Sequence, residues 1–505
     1  MRKTHWVVIT LVAVLAVAFS GLVPASAAST TKKLSSNFTL VNLDNGSNLI
    51  TISYYNPDGT EWKNTDNTSA NESFTFTTLG EQLIRRQYFS DLTAGRGSVV
   101  VTSDGPLGAV VQVQARDGQT PTTGAYSGVS DGASSVGVPL VIRRRNTASG
   151  FANSQIIIQN ASSTAVNVEV DLINGETGAT TYTKTGITIQ PSAAYELDMD
   201  DDTDVAANVP ETWFGSAVVR STTPGGEVAV VSNFFTGPDA MQTFNGFPQA
   251  SASAASTDAA QAWFAPLATS RLANGLSSVI AVQNVSGGSI PIDGIVLDCT
   301  KGDGSPDPAT FQRKNTTAVG NTATYFFNPV TDLVNFPALW YGSCKVTTTG
   351  FATNMFVQLR FVLEGSPASR AAAYEGIAAG GTATMAVIPL YAKRLDNGFA
   401  SSVLIQNLDE ANTADVQLAY KAGEGEPAEC TVTLNKTIPA GGSIQENHRI
   451  ESGPNSVPEI PNDCFGTLTI TSTNNRPIDG FVQLDFLNAT TGDPYMAHNA
   501  FTISN

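Results

Sequence analysis

One stretch of this chain occurs three times, and that recurrence limits what it can fold into. "VPLVIRRRNTASGFANSQIIIQN" ends at Asn160, "APLATSRLANGLSSVIAVQN" at Asn284 and "IPLYAKRLDNGFASSVLIQN" at Asn407. Val41-Asn42 in "NFTLVNLDNG" holds the same place nearer the N-terminus. Each is followed by an alternating run: Val166, Val168, Val170 and Leu172, then Val416, Leu418 and Tyr420, with Ile50, Ile52 and Tyr54 in the first copy. Period-two alternation marks a strand with one buried face. Further on, a Gly-Ser or Gly-Thr pair starts another valine-rich strand at Gly97, Gly215, Gly342 and Gly466, at intervals of 118, 127 and 124 residues. Self-similarity at a fixed period signals a repeat architecture.

Roughly seven short strands fit each period of about 120 residues, with turn residues between them. The fold class read from this is all-β, four tandem immunoglobulin-like β-sandwich domains, each with its own core. Their limits are 28–135, 136–250, 263–380 and 385–505, joined by Ala/Ser-rich or Gly-rich linkers of which Pro248 to Ala262 is the longest. Units two to four open on the Pro-Leu lead. Unit one has no such lead, which predicts an open sheet edge there, or one covered by residues 28–36.

Composition agrees with sheets. Charged residues are 14% of the chain, against about 25% in ordinary domains. The N-terminus has a secretory layout: Arg2 and Lys3, an apolar stretch from Val7 to Phe19, and Ala25-Ser26-Ala27 as the cleavage site. The reading is a signal peptide over 1–27 and a secreted, extracellular or cell-surface product without a membrane span in its mature chain. There are 27 basic and 44 acidic residues, a balance that argues against nucleic acid as a partner. The four cysteines fit no metal-ligand spacing and pair as Cys299 with Cys344 and Cys430 with Cys464, both of which an exported chain can keep oxidised.

The "PL…R…NG…S…QN" lead, the valine-rich strand after it and the "GSAVV"-type strand resemble immunoglobulin-like repeats of uncharacterised secreted surface proteins of bacteria. The resemblance spans the chain beyond its leader. It implies an extracellular structural, adhesive or surface-layer role and supplies no catalytic residues.

Chemistry-bearing residues are few. Arg144, Arg271 and Arg394 each lie sixth from the proline of a lead, and are expected to bond at the junction between neighbouring sandwiches; Arg143 and Arg145 are extra. The run from Glu196 to Asp204 offers Asp198, Asp200, Asp202 and Asp204 as ligands for calcium, the one cofactor that such spacing suits, although it lacks the glycine and terminal glutamate of an EF-hand. His448 and His498 are the only histidines beyond the leader, and His498 holds the place of Tyr126, Phe244 and Tyr374. Trp213 and Trp340 precede the Gly-Ser pair and read as packing residues rather than a sugar platform. Asn-x-Ser/Thr triplets, among them Asn37, Asn71, Asn160, Asn284 and Asn488, occur near chance frequency. The functional expectation is a non-catalytic structural protein of the cell surface, a rod of repeats forming a coat, sheath, surface layer or fibre. Its partners would be itself, other envelope components and glycans; an adhesin or glycan-binding protein is the alternative.

Overall fold

The computed structural model describes residues 7–13, 33–115, 120–147, 150–237, 239–249, 261–302, 305–361 and 370–503. Apart from Val7–Ala13, the leader lies outside them, as do residues 28–32 and most of the longest linker. The chain is all-β, and its described residues form eight sheets that pair into four sandwiches. Each repeat contributes the same eight strands. In unit two these are the lead strand Ser135–Arg143, the Gln-Asn strand Gly150–Asn160, the alternating strand Val166–Asn174, a fourth strand Thr180–Ile189, a fifth Ala194–Asp198, the Gly-Ser strand Trp213–Ser221, a seventh Val228–Thr236 and an inner strand Ala240–Asn245. One sheet runs fourth, alternating, Gly-Ser, lead; the other runs fifth, Gln-Asn, seventh, inner. The other three units repeat this order.

The alternation read from the sequence is the burial pattern observed: Val166, Val168, Val170 and Leu172 are buried while Asn167 faces out. The lead strands of units two to four each break register opposite the Gly-Ser strand, at Gly215/Ala217, Ala265/Ala268 and Ile388/Tyr391. The break coincides with Pro139, Pro266 and Pro389. Proline has no N–H for the ladder, so it is confined to bulges and edges.

Unit one does have a strand at the lead position. Val7–Ala13 pairs antiparallel with Gly97–Ser103, in unbroken register from Val7 opposite Ser103 to Ala13 opposite Gly97. These residues fall in the apolar stretch assigned to the leader. In the uncleaved chain, leader residues thus cover this edge, and Leu34 to Ser36 begin the Gln-Asn strand; removal of a leader ending at Ala27, as the sequence predicts, would take that cover away.

The expected rod is not what the units build. The inner strands Thr123–Ser127, Ala240–Asn245, Arg370–Glu375 and Met496–Asn499 touch in sequence, first to second, second to third, third to fourth and fourth back to first. Four copies of one head-to-tail contact therefore close into a ring with pseudo-fourfold symmetry. Nor are the cores separate. Val231 of unit two packs into the core of unit one, Phe356 of unit three into that of unit two, Phe481 of unit four into that of unit three, and Val110 of unit one into that of unit four. These four residues occupy equivalent places on the seventh strand. Phe244 and Phe356 stack with centroids 4.6 Å apart, as do Tyr374 and Phe481 at 4.1 Å.

Pseudo-symmetry also sorts the loops. Consecutive strands run antiparallel, so the turns after the lead, alternating, fifth and seventh strands gather at one end of each sandwich. The remaining turns and the linkers gather at the other. Equivalent ends share a face of the ring, giving it a loop face and a linker face.

Candidate functional site

The repeated polar residues are consumed by turns and seams. Asn160 Nδ2 donates to Thr164 O and Ile189 O, and Asn284 Nδ2 donates to Gly288 O, Val319 O and Gly320 O. Asn407 and Asn42 make the same kind of set. Asn160 and Asn284 are buried with their amides engaged, so as sequons they serve the fold. The Gly-Ser pair is a seam device. Ser216 Oγ donates to Thr322 O and Thr467 Oγ1 to Gly80 O (2.8 Å), while Ser98 Oγ donates to Ser192 O. Each acceptor belongs to the next unit in the ring and has a left-handed backbone, with φ of 63°, 69° and 62°.

The carbonyls at the proline bulges close the same seams. Thr324 Oγ1 donates to Pro139 O at 2.6 Å, Ser443 Oγ to Pro266 O at 3.0 Å, and Gln82 Nε2 to Pro389 O. The residue at this place in unit two is Ala194, opposite Gln159 as Thr324 is opposite Gln283. Ala194 has no donor to offer, and the strand it faces in unit one is the unbulged Val7–Ala13.

The repeated spacing of Arg144, Arg271 and Arg394 has a different reason from the one expected. All three have left-handed φ, 42°, 48° and 46°, which turns each side chain under the fifth-to-sixth loop of its own unit. Arg271 donates to Pro329 O (2.7 Å) and Phe336 O (2.6 Å). Arg394 donates to Arg449 O (3.1 Å) and pairs with Glu451 (3.4 Å). Arg144 meets Asp200 (3.5 Å) and Glu211 (3.3 Å). These contacts stay within a unit, which corrects the junction reading. Arg143 is buried and donates to Met199 O and Val209 O of the same loop, while Arg145 stacks over Phe214.

The aspartates of the acid run turn to separate partners. Asp198 accepts from Asn153 Nδ2 (2.9 Å) and Gln155 Nε2 (2.8 Å). Asp200 meets Arg144. Asp202 caps the short helix Thr203–Asn208 and, with Asp204, pairs with Lys184 at 3.0 and 2.5 Å. Among the described residues, the ligand atoms that gather within 4.8 Å of one another are those of Glu426, Cys430 and Cys464, not the aspartates. The calcium expectation thus meets carboxylates already engaged by cations, amides and backbone N–H groups.

Cys299 is bonded to Cys344 and Cys430 to Cys464, each within one unit. Trp213 and Trp340 are buried, their indole N–H groups donating to Thr181 Oγ1 and Pro308 O, so neither can offer a face to sugar. His498 pairs opposite Val482 as Tyr126, Phe244 and Tyr374 pair opposite Val111, Ser232 and Val357. Burial holds its pKa down to about 4. His448 makes the contact that looks most catalytic, with Nδ1 3.0 Å from Ser401 Oγ and Nε2 3.2 Å from Tyr420 OH. All three are buried, and burial depresses His448 to about 3. A base that weak, out of reach of solvent, packs a core.

Buried acids mark the ring axis. Asp493 accepts from the backbone N–H of Ala371 (3.1 Å), Met241 (3.0 Å) and Tyr495 (3.2 Å), and its own N–H donates to Pro121 O (2.7 Å). It thus touches all four units, and burial raises its pKa well above the carboxylate range. At the other end of the axis, Glu375 accepts from Asn245 N, and Asn499 bonds both N–H and C=O of Glu375. Nothing in the sequence pattern singles out these residues.

Exposed apolar side chains are unevenly placed. Tyr88, Phe89, Phe151, Leu333, Val334, Leu339 and Leu487 lie at the loop face, against Leu49 and Ile292 at the other end. Among the described residues, no helix is long and apolar enough to cross a membrane.

No protein-family model matches the chain, and no curated protein does. Among solved structures, the crystal structure of Thermotoga maritima 1070 aligns with 24% of this chain and 97% of its own length, at 14% identity and a TM-score of 0.18. The pilus backbone RrgB of Streptococcus pneumoniae aligns with 78% of this chain and 86% of its own, at 8% identity and a TM-score of 0.12. The full-length RrgB pilus protein gives 96% and 88%, 9% identity and a TM-score of 0.11. TM-scores this low carry neither a shared arrangement nor a function across to this chain.

Proposed function

We propose that the protein is a non-catalytic structural component of a cell surface, exported by its N-terminal leader and built as a compact four-unit ring rather than a rod. Such a ring would serve as the block of a coat, sheath, surface layer or fibre. One observation carries this reading: the residues that the repeats keep in common, the Gln-Asn pair, the lead proline, the arginine and the Gly-Ser pair, all serve turns and seams, and none is presented to a substrate. Cryo-electron tomography of native cells, beside cells lacking the gene, tests it. A periodic layer or filament that disappears with the gene is expected; an unchanged surface, with the protein soluble in the medium, would refute it. A second reading, an adhesin or glycan-binding surface protein, draws on the exposed apolar residues gathered at the loop face.

A further inference from the structure

The lead position of unit one is a groove with a strand edge on one wall and a neighbouring unit on the other. Gly97–Ser103 lines it, paired on its inner side with Asn48–Tyr55, and Gly150–Asn160 of unit two approaches from across the seam. In this structure Val7–Ala13 fills it. In a chain cut after Ala27 that strand is gone, and the residues left cannot replace it. In the other units the stretches that join the lead strand to the Gln-Asn strand are 144–149, 271–275 and 394–398. Residues 28–33, which would then precede Leu34, match such a connection and leave nothing over for a strand.

The edge so uncovered is suited to pairing. Its sequence, "GSVVVTS", has no charge and no proline, and lysine, proline or a bulge is what usually blunts an edge against other strands. Val99 and Val101 are buried in the sandwich, so Val100 lies on the opposite face, where it is half-buried. The occupant of this position also lacks the clasp that holds its counterparts. Thr324, Ser443 and Gln82 bond the lead-strand carbonyls of units two, three and four from the next unit. Ala194 stands at the equivalent place beside unit one and has no side-chain donor. Ladder bonds to the backbone remain, and any extended chain can supply those.

We infer that export opens this groove and that a second protein of the cell envelope closes it, adding one β-strand to unit one. The segment now in place shows what fits. "VVITLVA" is seven residues long, uncharged, free of proline and rich in β-branched side chains, and it runs in unbroken register along the whole edge. The partner strand is an extended aliphatic segment of that kind. A second copy of this chain is the poorer donor, because among the described residues its other valine- and isoleucine-rich runs already lie in sheets. The inference rests on the reading of the N-terminus as an export leader, and it gives the exported ring an attachment point.

The test uses the protein as secreted by a heterologous host, which lacks the natural partner, with its N-terminus read by mass spectrometry. The probe is a synthetic Val7–Ala13 peptide with solubilising lysines at both ends and the change Thr10→Cys, since Thr10 lies opposite Val100. The native cysteines are all paired, so Val100→Cys supplies the one reactive thiol of the protein. Thr75→Cys, exposed on the far edge of the same sheet, is the control. The expected result is a chain starting at Ala28 whose Val100→Cys form crosslinks to the peptide about tenfold more than the control. The peptide should also raise the melting temperature of the wild-type protein, as a ligand of the folded state does, and its Ile9→Pro version should not. A secreted protein that keeps residues 7–13 overturns the export reading and the groove together. A chain that starts at Ala28 but neither crosslinks above the control nor gains stability overturns the groove and leaves the coat reading in place. Val100→Cys dimers formed without peptide would give the groove to a second copy and overturn the envelope partner.

Discussion

Asp479 shows how a single side chain can set the pH response of one unit. It occupies the place that Asn354 holds in unit three, where Asn354 Nδ2 donates to Gln283 Oε1 at 3.3 Å. The matching acceptor in unit four, Gln406 Oε1, is buried without a partner among the described residues. A protonated Asp479 is the donor that would satisfy it, and burial pushes its pKa up to about 7 from 3.8. The folded state therefore holds this proton more tightly than the unfolded chain. Stability from this group is complete below about pH 4 and is lost as the pH rises through 7. Asp479→Asn should leave the melting temperature near pH 4 almost unchanged and raise it at pH 8. Each pH unit of displacement is about 1.4 kcal/mol, so the gain at pH 8 is roughly 2–4 kcal/mol. Equal shifts at both pH values, read by differential scanning fluorimetry, would contradict the assignment. The arginines teach a related lesson. Their spacing was legible in the sequence, but their partners were not, because the left-handed φ that turns Arg271 inward leaves no mark on composition. Arg271→Lys keeps the charge but loses the planar fork that reaches two carbonyls at once. It should cost about 1–3 kcal/mol in urea denaturation, and a loss within error of zero would show the fork to be dispensable.

The Gly-Ser strand is the element that the sequence placed best and explained least. Alternation and spacing locate it in all four units and read the glycine as the residue that opens the strand. It is a crossing point instead. A Cβ on Gly97, Gly215, Gly342 or Gly466 would lie 2.1, 1.8, 2.1 or 1.9 Å from the carbonyl oxygen of Tyr55, Ile173, Thr300 or Lys421 on the alternating strand. No side-chain rotation relieves a clash with backbone. Gly215→Ala should therefore destabilise by 3 kcal/mol or more, on the order of the larger strain effects seen for single substitutions. A stable Gly215→Ala protein with an unchanged far-ultraviolet spectrum would refute the crossing. The hydroxyl beside each glycine was equally opaque, since its acceptor lies more than a hundred residues away for Ser216 and nearly four hundred for Thr467. The disulfides were legible because exported cysteines have few other roles. Their loops, 45 and 34 residues in separation, are each worth about 4 kcal/mol in the chain-entropy model. Reduction should lower the melting temperature of the whole molecule, not of units three and four alone.

That last expectation depends on ring closure, which no local pattern announces. Phe356 in "NMFVQLRFV" reads as a residue of its own unit's core, because periodicity tells which face of a strand is buried and not which unit buries it. The sequence thus predicts four units that melt partly independently and a protein that survives loss of its first unit. The ring reverses both predictions. Removing unit one would strip Val231, Phe235 and Met241 of unit two of their packing partners, since all three lie in the core of unit one. It would also take Val110 and Ala125 out of the core of unit four and uncover Val387 and Phe501, which pack with Val41 and Leu43. Burial of side chains of this size is worth roughly 1.5–3 kcal/mol each, so the two orphaned seams amount to a large part of the 5–15 kcal/mol that typically holds a domain folded. A chain starting at residue 136 should therefore aggregate or unfold at a much lower temperature, and the full-length protein should show one calorimetric transition whose calorimetric and van't Hoff enthalpies agree. Phe481→Ala gives the sharper check, since its ring belongs to unit four by sequence and to unit three by packing. Hydrogen exchange should show protection falling on both sides of that seam, in the inner strand Arg370–Glu375 as well as in Ile478–Phe486. Loss confined to unit four, or several separate transitions in the full-length protein, would mean that the units stand alone and that the ring does not hold them.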